Sequence, residues 1–138
     1  MDNSITIGGR KVSNHSKTLI IAEVGINHDG IYENAIKMID VAKNAGADVV
    51  KFQFFKSKKM YTEKATNFVA SNGNSMPINA ILKSTEVPEN WINKLISYCK
   101  KVDIGFLSTI CDINGVEVLE RLGVDAFKIA SSEITDTH

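Results

Sequence analysis

The 138-residue sequence has little cysteine, little proline and no net charge, and each shortage excludes a class of protein. Its two cysteines, Cys99 and Cys111, lack the spacing of a metal or redox motif, so we expect reduced thiols. Two prolines, with 43% apolar and 23% charged residues, exclude collagen-like, disordered and coiled-coil chains. Sixteen basic residues balance sixteen acidic ones, so no overall field attracts nucleic acid or an anionic membrane. Any anion must be bound by a local site.

Long hydrophobic runs are also missing. The longest, such as residues 19–24 and 49–52, fall far short of the roughly 18 residues that a membrane span needs. The first four residues lack the basic segment and apolar core of a secretory signal. We therefore expect a cytoplasmic protein of one-domain length that does not cross a membrane.

Strand patterns recur along the chain. Residues 5–12 alternate between apolar and polar types around a Gly-Gly pair, which predicts a small β-hairpin. Four later segments are predicted as strands, and the first of them is apolar without alternation, as in a strand that is covered on both faces of a parallel sheet. These segments are residues 19–25, 48–54, 104–109 and 124–130.

Helical patterns separate these strands. The first helix has an apolar stripe that includes Ala35 and Ala45 and ends at Gly46, the second begins near Pro88, and Asp112 caps the third. The apolar side of the second helix is predicted to carry Trp91, Leu95, Tyr98 and Val102. Strands that alternate with helices predict an α/β fold with a parallel sheet and right-handed crossovers. Four strands alone do not distinguish an open sheet from part of a barrel.

One connection is much longer than the others. Residues 55–87 separate the second strand from the helix at Pro88 and include a polar patch at 71–75. Connections of this length in α/β units are usually functional or mobile. The alternative is a peripheral insertion with a short helix around residues 78–82.

Polar side chains lie at the carboxyl ends of all four predicted strands. They are Glu23, Lys51, Gln53, Thr109 and Lys128, followed by Ser131 and Glu133 just beyond the fourth strand. Parallel sheets form their active sites at this edge, so the set predicts one common site. An unpaired buried ion is costly, so the two lysines need a counter-charge or an anionic ligand. The alternative is purely structural, with Lys51 and Lys128 paired to Glu23 and Glu133.

The remaining candidates carry weaker signals. His28 follows the first strand and is expected to form a loop hydrogen bond more readily than to bind a ligand. Cys111 lies near the proposed site but has no visible base partner, so we expect a small buried side chain and not a nucleophile. Cys99 is expected in the core. Gly25 and Gly30 do not form a dinucleotide-binding fingerprint.

Three segments together resemble one known family. They are residues 20–30 (IIAEVGINHDG), 44–53 (NAGADVVKFQ) and 127–134 (FKIASSEI). In order and spacing they resemble the sialic acid synthase family, which makes N-acetylneuraminate and legionaminate and includes spore-coat polysaccharide synthases. The resemblance implies a (β/α)₈ TIM barrel preceded by a β-hairpin. A barrel needs about 200 to 250 residues, so residues 1–138 would supply strands one to four, without the remaining barrel and the antifreeze-like C-terminal domain.

The resemblance also implies a reaction and roles for the polar residues. Members condense phosphoenolpyruvate with an N-acetylated hexose of the N-acetylmannosamine type, giving a nonulosonic acid and phosphate for surface polysaccharides. It implies that Lys51, Thr109, Lys128 and Ser131 bind phosphoenolpyruvate, and that Glu23, Gln53 and Glu133 lie around the sugar, the two glutamates being the candidate catalytic carboxylates. It implies a divalent metal, Mn or Mg, with ligands outside this chain, and a homodimer.

Two alternatives stay open. One is a Schiff-base aldolase of the TIM-barrel type with Lys128 as the amine nucleophile. The other is a non-catalytic half-barrel module. A half-barrel leaves strands one and four with unpaired edges, so we expect the 138-residue chain to be inactive alone and its ordered state to depend on dimerising or on a partner that closes the incomplete barrel.

Overall fold

A computed structural model describes residues 3–62, 67–69 and 73–135. The elements are, in chain order, β1 (Ile5–Ile7), β2 (Arg10–Val12), β3 (Ile21–Gly25), α1 (Tyr32–Asn44), β4 (Val49–Phe54), α2 (Ser57–Met60), β5 (Asn67–Val69), β6 (Ser75–Pro77), α3 (Ile78–Ser84), α4 (Glu89–Lys101), β7 (Gly105–Ile110), α5 (Ile113–Arg121), β8 (Lys128–Ile129) and a final 3₁₀ helix (Ser131–Thr135). In this part of the chain, no helix has both the length and the apolar character needed to span a membrane.

The central sheet has four parallel strands in the order β3-β4-β7-β8. The predicted parallel α/β arrangement is therefore confirmed. The fourth strand is shorter than the predicted 124–130, because only Lys128 and Ile129 pair with β7. Among the residues that the structure describes, β8 pairs with β7 only and is therefore an edge strand.

One face of the sheet packs against the helices. Alternate side chains, such as Val50, Phe52 and Phe106, form the core with α1, α4 and α5. On α4 the buried stripe differs from the predicted one and consists of Ile92, Leu95, Ile96 and Cys99. Trp91 and Tyr98 pack at its margin, and the Tyr98 hydroxyl donates a hydrogen bond to Asp40 at 2.8 Å. The polar end of the tyrosine thus stays outside the stripe.

The N-terminal hairpin closes the amino end of this sheet. Gly8 and Gly9 take positive φ angles of 58° and 76°, as the predicted two-residue turn requires. Their backbone N–H groups donate to the two carboxylate oxygens of Asp125, at 2.9 and 2.7 Å. A Cβ atom at Gly105 would overlap the Gly8 carbonyl oxygen, so the turn lies directly on the start of β7. These contacts join the beginning of the chain to the start of β7 and to the segment that precedes β8.

The long connection after β4 contains elements of its own. It forms α2, the β5–β6 hairpin and α3, so the short helix expected around 78–82 is present as Ile78–Ser84. The polar patch predicted at 71–75 lies partly outside the described residues. The Ser57 N–H donates to a Glu86 carboxylate oxygen at 2.6 Å, which joins the two ends of the connection. The connection is therefore a folded insertion whose ends are tied together.

Candidate active site

Strand pairing brings most of the predicted site residues to one face of the sheet. Glu23 on β3 pairs with Lys51 on β4, and Gln53 pairs with Thr109 on β7. Thr109 pairs in turn with Lys128 on β8. Directly paired residues of neighbouring strands point to the same side of a sheet. All five side chains therefore point away from the helices, and Gln53 and Thr109 lie near the carboxyl ends of their strands as predicted, whereas Lys51 lies in the middle of β4.

Glu23 and Lys51 form an ion pair. The Lys51 Nζ lies 2.5 Å from a Glu23 carboxylate oxygen, with 17% of the lysine side chain and 51% of the glutamate side chain exposed. β3 bulges just after this pair, where Gly25 has a φ of 58°. A Cβ atom at Gly25 would lie 3.4 Å from a Glu23 oxygen and 3.7 Å from the Gln53 amide nitrogen. The three polar side chains thus meet around a glycine that leaves them room.

Lys128 differs from Lys51 in its surroundings. It is exposed on the edge strand β8, and its side chain forms no hydrogen bond or ion pair with any residue that the structure describes. Of the two ion pairs in the structural alternative, the one between Lys51 and Glu23 is therefore formed, whereas the expected burial of Lys128 is wrong. Lys51 has Glu23 as its partner, and Lys128 is not buried, so neither charge carries an uncompensated burial cost.

The two residues predicted beyond the fourth strand lie on the final 3₁₀ helix. Ser131 is exposed. A Glu133 carboxylate oxygen accepts a hydrogen bond from the Ser132 hydroxyl at 2.8 Å, and Glu133 lines a cavity of about 220 Å³ with Cys111 and Asp112. No hydrogen bond or ion pair joins Glu133 to Glu23 or Lys51 in the described residues. The structural alternative of a Lys128–Glu133 ion pair is likewise not formed there.

Cys111 lies beside this cavity and is half-buried. Burial, together with the Glu133 and Asp112 carboxylates, raises the pKa of its thiol, while Lys128 opposes the shift. A thiol with a raised pKa is a poor nucleophile at neutral pH. Cys99 is in the core as predicted, where burial raises its pKa to about 12.

His28 has the predicted role of a loop hydrogen-bonding residue. It is fully buried, and its Nδ1 accepts a hydrogen bond from the Gly30 N–H at 3.1 Å. Its ring packs against Phe52 and Trp91, on the side of the sheet that faces the helices. His28 is therefore separated by the sheet from the Glu23–Lys51 pair, and burial lowers its pKa despite the opposing charge of Asp29.

One contact at the rim of the site was not predicted. Asp112 caps α5 as expected, since its Oδ1 accepts the Gly115 N–H at 2.8 Å. Its other oxygen lies 3.1 Å from the Lys59 Nζ, which ties α2 of the long connection to the end of β7. The cap is recognisable from the sequence. Lys59 is not, because its helix has only four residues and the two partners are distant in the chain.

A divalent metal does not fit the residues described. They contain no group of three or more histidine, cysteine, aspartate or glutamate side chains that could hold a metal ion. We therefore assign no step to a metal.

Comparisons with known proteins agree with the motifs and the fold. The model of the NeuB family matches residues 38–138. The spore coat polysaccharide biosynthesis protein SpsE of Bacillus subtilis is 41% identical over 93% of this chain, and the N,N'-diacetyllegionaminic acid synthase of Campylobacter jejuni is 41% identical over 87%. This chain spans 34% and 37% of their lengths, about a third of the curated relatives that it matches.

A solved structure gives the same result. The N-acetylneuraminic acid synthetase of Leptospira borgpetersenii superposes with a TM-score of 0.81 at 30% identity, over 99% of this chain and 44% of that one. The predicted fold, the first four strands of a (β/α)₈ barrel after a hairpin, is thereby confirmed. The chain belongs to the NeuB family, the sialic acid synthase family that its motifs resemble.

Proposed function

We propose that this chain is the N-terminal half of the catalytic barrel of a sialic-acid-type synthase. The reaction is the condensation of phosphoenolpyruvate with an N-acetylated hexose of the N-acetylmannosamine type, giving a nonulosonic acid and phosphate for surface polysaccharide biosynthesis in the cytoplasm. One observation carries the proposal. Five polar side chains from four strands share one face at the carboxyl end of a parallel sheet, where such folds bind their substrates.

The basic residues suit a ligand that carries a carboxylate and a phosphate. Lys51 and Lys128 supply two cations, and the Thr109 and Ser131 hydroxyls supply further donors. Lys51 has three N–H donors, so its contact with Glu23 leaves others for a ligand. Lys128 has no competing ion pair in the described residues. A ligand placed between the two lysines would neutralise both charges, of which that of Lys51 is already held in position by Glu23.

The carboxylates and the amide suit the sugar and water. In the proposed reaction the enol carbon of phosphoenolpyruvate attacks the sugar aldehyde, water adds at C2, and the tetrahedral intermediate expels phosphate by C–O cleavage. Glu23 and Gln53 would bind sugar hydroxyls beside Lys51. Glu133 would position water or exchange a proton with the aldehyde oxygen. This role requires Glu133 to turn from the cavity beside Cys111 toward the sheet.

Three parts of the proposal reach beyond the described residues. The Mn or Mg ion would be held by ligands elsewhere in the full-length enzyme, since the described residues offer no site. The enzyme would act as a homodimer. The 138-residue chain alone would be inactive, because the remaining barrel strands complete the site.

Binding of phosphoenolpyruvate to the full-length enzyme that contains this chain tests the substrate assignment. We expect Lys51→Met and Lys128→Met each to weaken binding roughly tenfold or more, as expected for loss of a charge-assisted contact. Lys17→Met is the matched control, since Lys17 is exposed and precedes β3 at the opposite end of the sheet. Titration calorimetry with each purified variant provides the measurement. Equal binding by all three variants would exclude this site for phosphoenolpyruvate.

Activity tests the remaining parts. Phosphate release from phosphoenolpyruvate and N-acetylmannosamine should be absent with the chain alone. Turnover by the isolated chain would contradict the half-barrel assignment. Borohydride trapping of a carbonyl substrate on Lys128 would instead support the Schiff-base aldolase.

A further inference from the structure

His28 is a fully buried polar side chain to which the proposed reaction assigns no part. Its Nδ1 accepts the Gly30 N–H at 3.1 Å, so the proton of the neutral ring lies on Nε2. That nitrogen is buried and has no hydrogen-bond partner in the part of the chain that the structure describes. A buried donor without a partner lowers stability. Stability alone thus does not account for a histidine at this position.

The ring of His28 packs against β4 directly behind the candidate site. Its centre lies 6.4 Å from that of Phe52, and the backbone of Phe52 pairs with Gly25 at the end of β3. Phe52 lies between Lys51 and Gln53, whose side chains point to the other face of the sheet. The chain from Gly25 to His28 therefore turns around one residue of β4 and returns to that same residue.

Other elements also hold the loop after β3. The His28 ring meets Trp91 of α4 edge to face, with 6.1 Å between the ring centres. A Cβ atom at Gly30 would overlap the Ser84 carbonyl oxygen at the end of α3. The Ile31 N–H donates to the His28 carbonyl oxygen at 2.9 Å, which joins the loop to the start of α1. The histidine thus lies where β4, α4 and α1 fix the path of the loop.

The position of Glu23 depends on this loop. β3 leaves its regular register between Glu23 and Gly25, so the bulge after the glutamate leads directly into the loop. Glu23 is half-exposed, and Lys51 is its ion-pair partner in the described residues. Lys51 is held by β3 and β7 on the two sides of β4. A shift of the loop would therefore displace the carboxylate of Glu23 more readily than it would displace the lysine.

We propose that His28 is a positioning residue that, through the loop after β3, holds the Glu23 carboxylate beside Lys51 and Gln53. The inference rests on the proposed function, in which Glu23 and Gln53 bind hydroxyls of the N-acetylated hexose. His28 itself contacts no substrate, since the sheet lies between its ring and the site. Loss of the histidine should therefore weaken the use of the sugar and leave the use of phosphoenolpyruvate little changed.

Steady-state kinetics of the full-length enzyme that contains this chain test the consequence. We expect His28→Leu to raise the KM for N-acetylmannosamine roughly tenfold and the KM for phosphoenolpyruvate less than about twofold. The asparagine oxygen in His28→Asn lies close to the position of Nδ1 and can accept the same Gly30 N–H, so it should restore the KM for the sugar to within about threefold of the parent value. His15→Leu, at an exposed position before β3, is the control. A smaller folded fraction would lower kcat and leave both KM values unchanged, so it cannot mimic this result.

Acylation of lysines, measured by mass spectrometry on the same enzyme, tests the positioning without activity. Lys51 is 17% exposed and paired with Glu23, so it should react severalfold faster in His28→Leu than in the parent and at the parent rate in His28→Asn. Lys17, exposed at the opposite end of the sheet, should react equally in all three. Circular dichroism shows whether each variant is folded. If His28→Leu does not fold, His28→Gln replaces it, because the longer side chain does not place its oxygen at the Nδ1 position.

A double variant tests whether the histidine acts through Glu23. The effects of His28→Leu and Glu23→Gln on the KM for the sugar should not multiply when the two changes are combined.

Four results would overturn the proposal. They are unchanged acylation of Lys51 in His28→Leu, equal changes of the two KM values, failure of His28→Asn to restore the parent behaviour, and multiplication of the two effects in the double variant. A parent enzyme that does not turn over phosphoenolpyruvate and N-acetylmannosamine would contradict the proposed function alone, because the acylation of Lys51 still decides the role of His28.

Discussion

A lysine and a glutamate lie at each end of the parallel sheet, but the two pairs of residues differ in burial and in ion pairing. Next to β3, Lys51 is largely buried and paired with Glu23. On β8, Lys128 is exposed, and neither it nor Glu133 contacts the other through an ion pair in the described residues. β4 has strands on both sides and helices over one face, whereas β8 pairs only with β7 in the part of the chain that the structure describes. Lys51 is thus held by Glu23 and by the strands on both sides of β4, so the β3–β4 end of the site is preformed.

Truncation of one isoleucine at each end should give the largest contrast in stability. Ile39 on α1 is fully buried against the core, so Ile39→Ala should lower the free energy of unfolding by about 2–5 kcal/mol, the range for cavities in a packed core. Ile129 on β8 is 56% exposed, so Ile129→Ala should cost less than about 1 kcal/mol. Urea unfolding of the two variants provides the comparison. Equal losses would show that β8 is as well packed as the centre.

A glycine pair tests how firmly the loop after β3 is held. Gly30 and Gly46 have positive φ angles of 69° and 83°, so alanine costs each position about 1 kcal/mol in backbone conformation. Only at Gly30 would the new Cβ overlap another part of the chain, the Ser84 carbonyl oxygen at the end of α3. We expect Gly30→Ala to be about 1–3 kcal/mol more destabilising than Gly46→Ala. Similar losses of Tm would mean that this contact is loose.

Neutralisation of the two glutamates should give a smaller difference. Glu23→Gln removes the counter-charge of a mostly buried lysine and should cost about 1 kcal/mol, a value kept low because Glu23 itself is half-exposed. Glu133→Gln should change stability by less than about 0.5 kcal/mol, since the glutamate has only the neighbouring Ser132 hydroxyl as its partner. Chemical unfolding at pH 7 tests both. If Glu133→Gln lowered the free energy of unfolding more than Glu23→Gln, the carboxylate near β8 would contribute more to stability than the one on β3.

Much of the fold and part of the candidate site could be predicted from the local sequence. Apolar strand segments, the Gly-Gly turn, Pro88 and the Asp112 cap identified the elements, because each depends on neighbouring residues. The period of two also placed Lys51 and Gln53 on one face. The three-segment resemblance then identified the family.

The remaining features depend on contacts between distant residues. Asp125 binds the turn at Gly8, and Lys59 binds Asp112, but nothing local marks either partner. Only Lys128 and Ile129 pair with β7, and the apolar pattern of 124–130 does not encode where that pairing begins and ends. The burial of Lys128 was wrongly expected for the same reason. Sequence therefore predicted the site best where the sheet is complete.

The smallest effect is a pH dependence that arises from His28 at the β3 end. Burial lowers the pKa of His28, and the Gly30 N–H occupies its Nδ1, so the folded chain takes up a proton less readily than the unfolded chain. The stability that neutral His28 contributes to the fold is therefore fully present above the ordinary histidine pKa of about 6.5, and it is lost as the pH falls below that value. We expect the urea midpoint of unfolding to decrease as the pH is lowered from about 7.5 to about 5.5. Carboxylates with lowered pKa values, such as Asp103, titrate below this window and do not contribute to the decrease. His28→Gln should reduce the decrease, whereas His15→Gln, at an exposed position, should leave it unchanged. If the urea midpoint of His28→Gln decreased by the same amount, another group would be responsible for the pH dependence, and His28 would not stabilise the loop after β3 in this way.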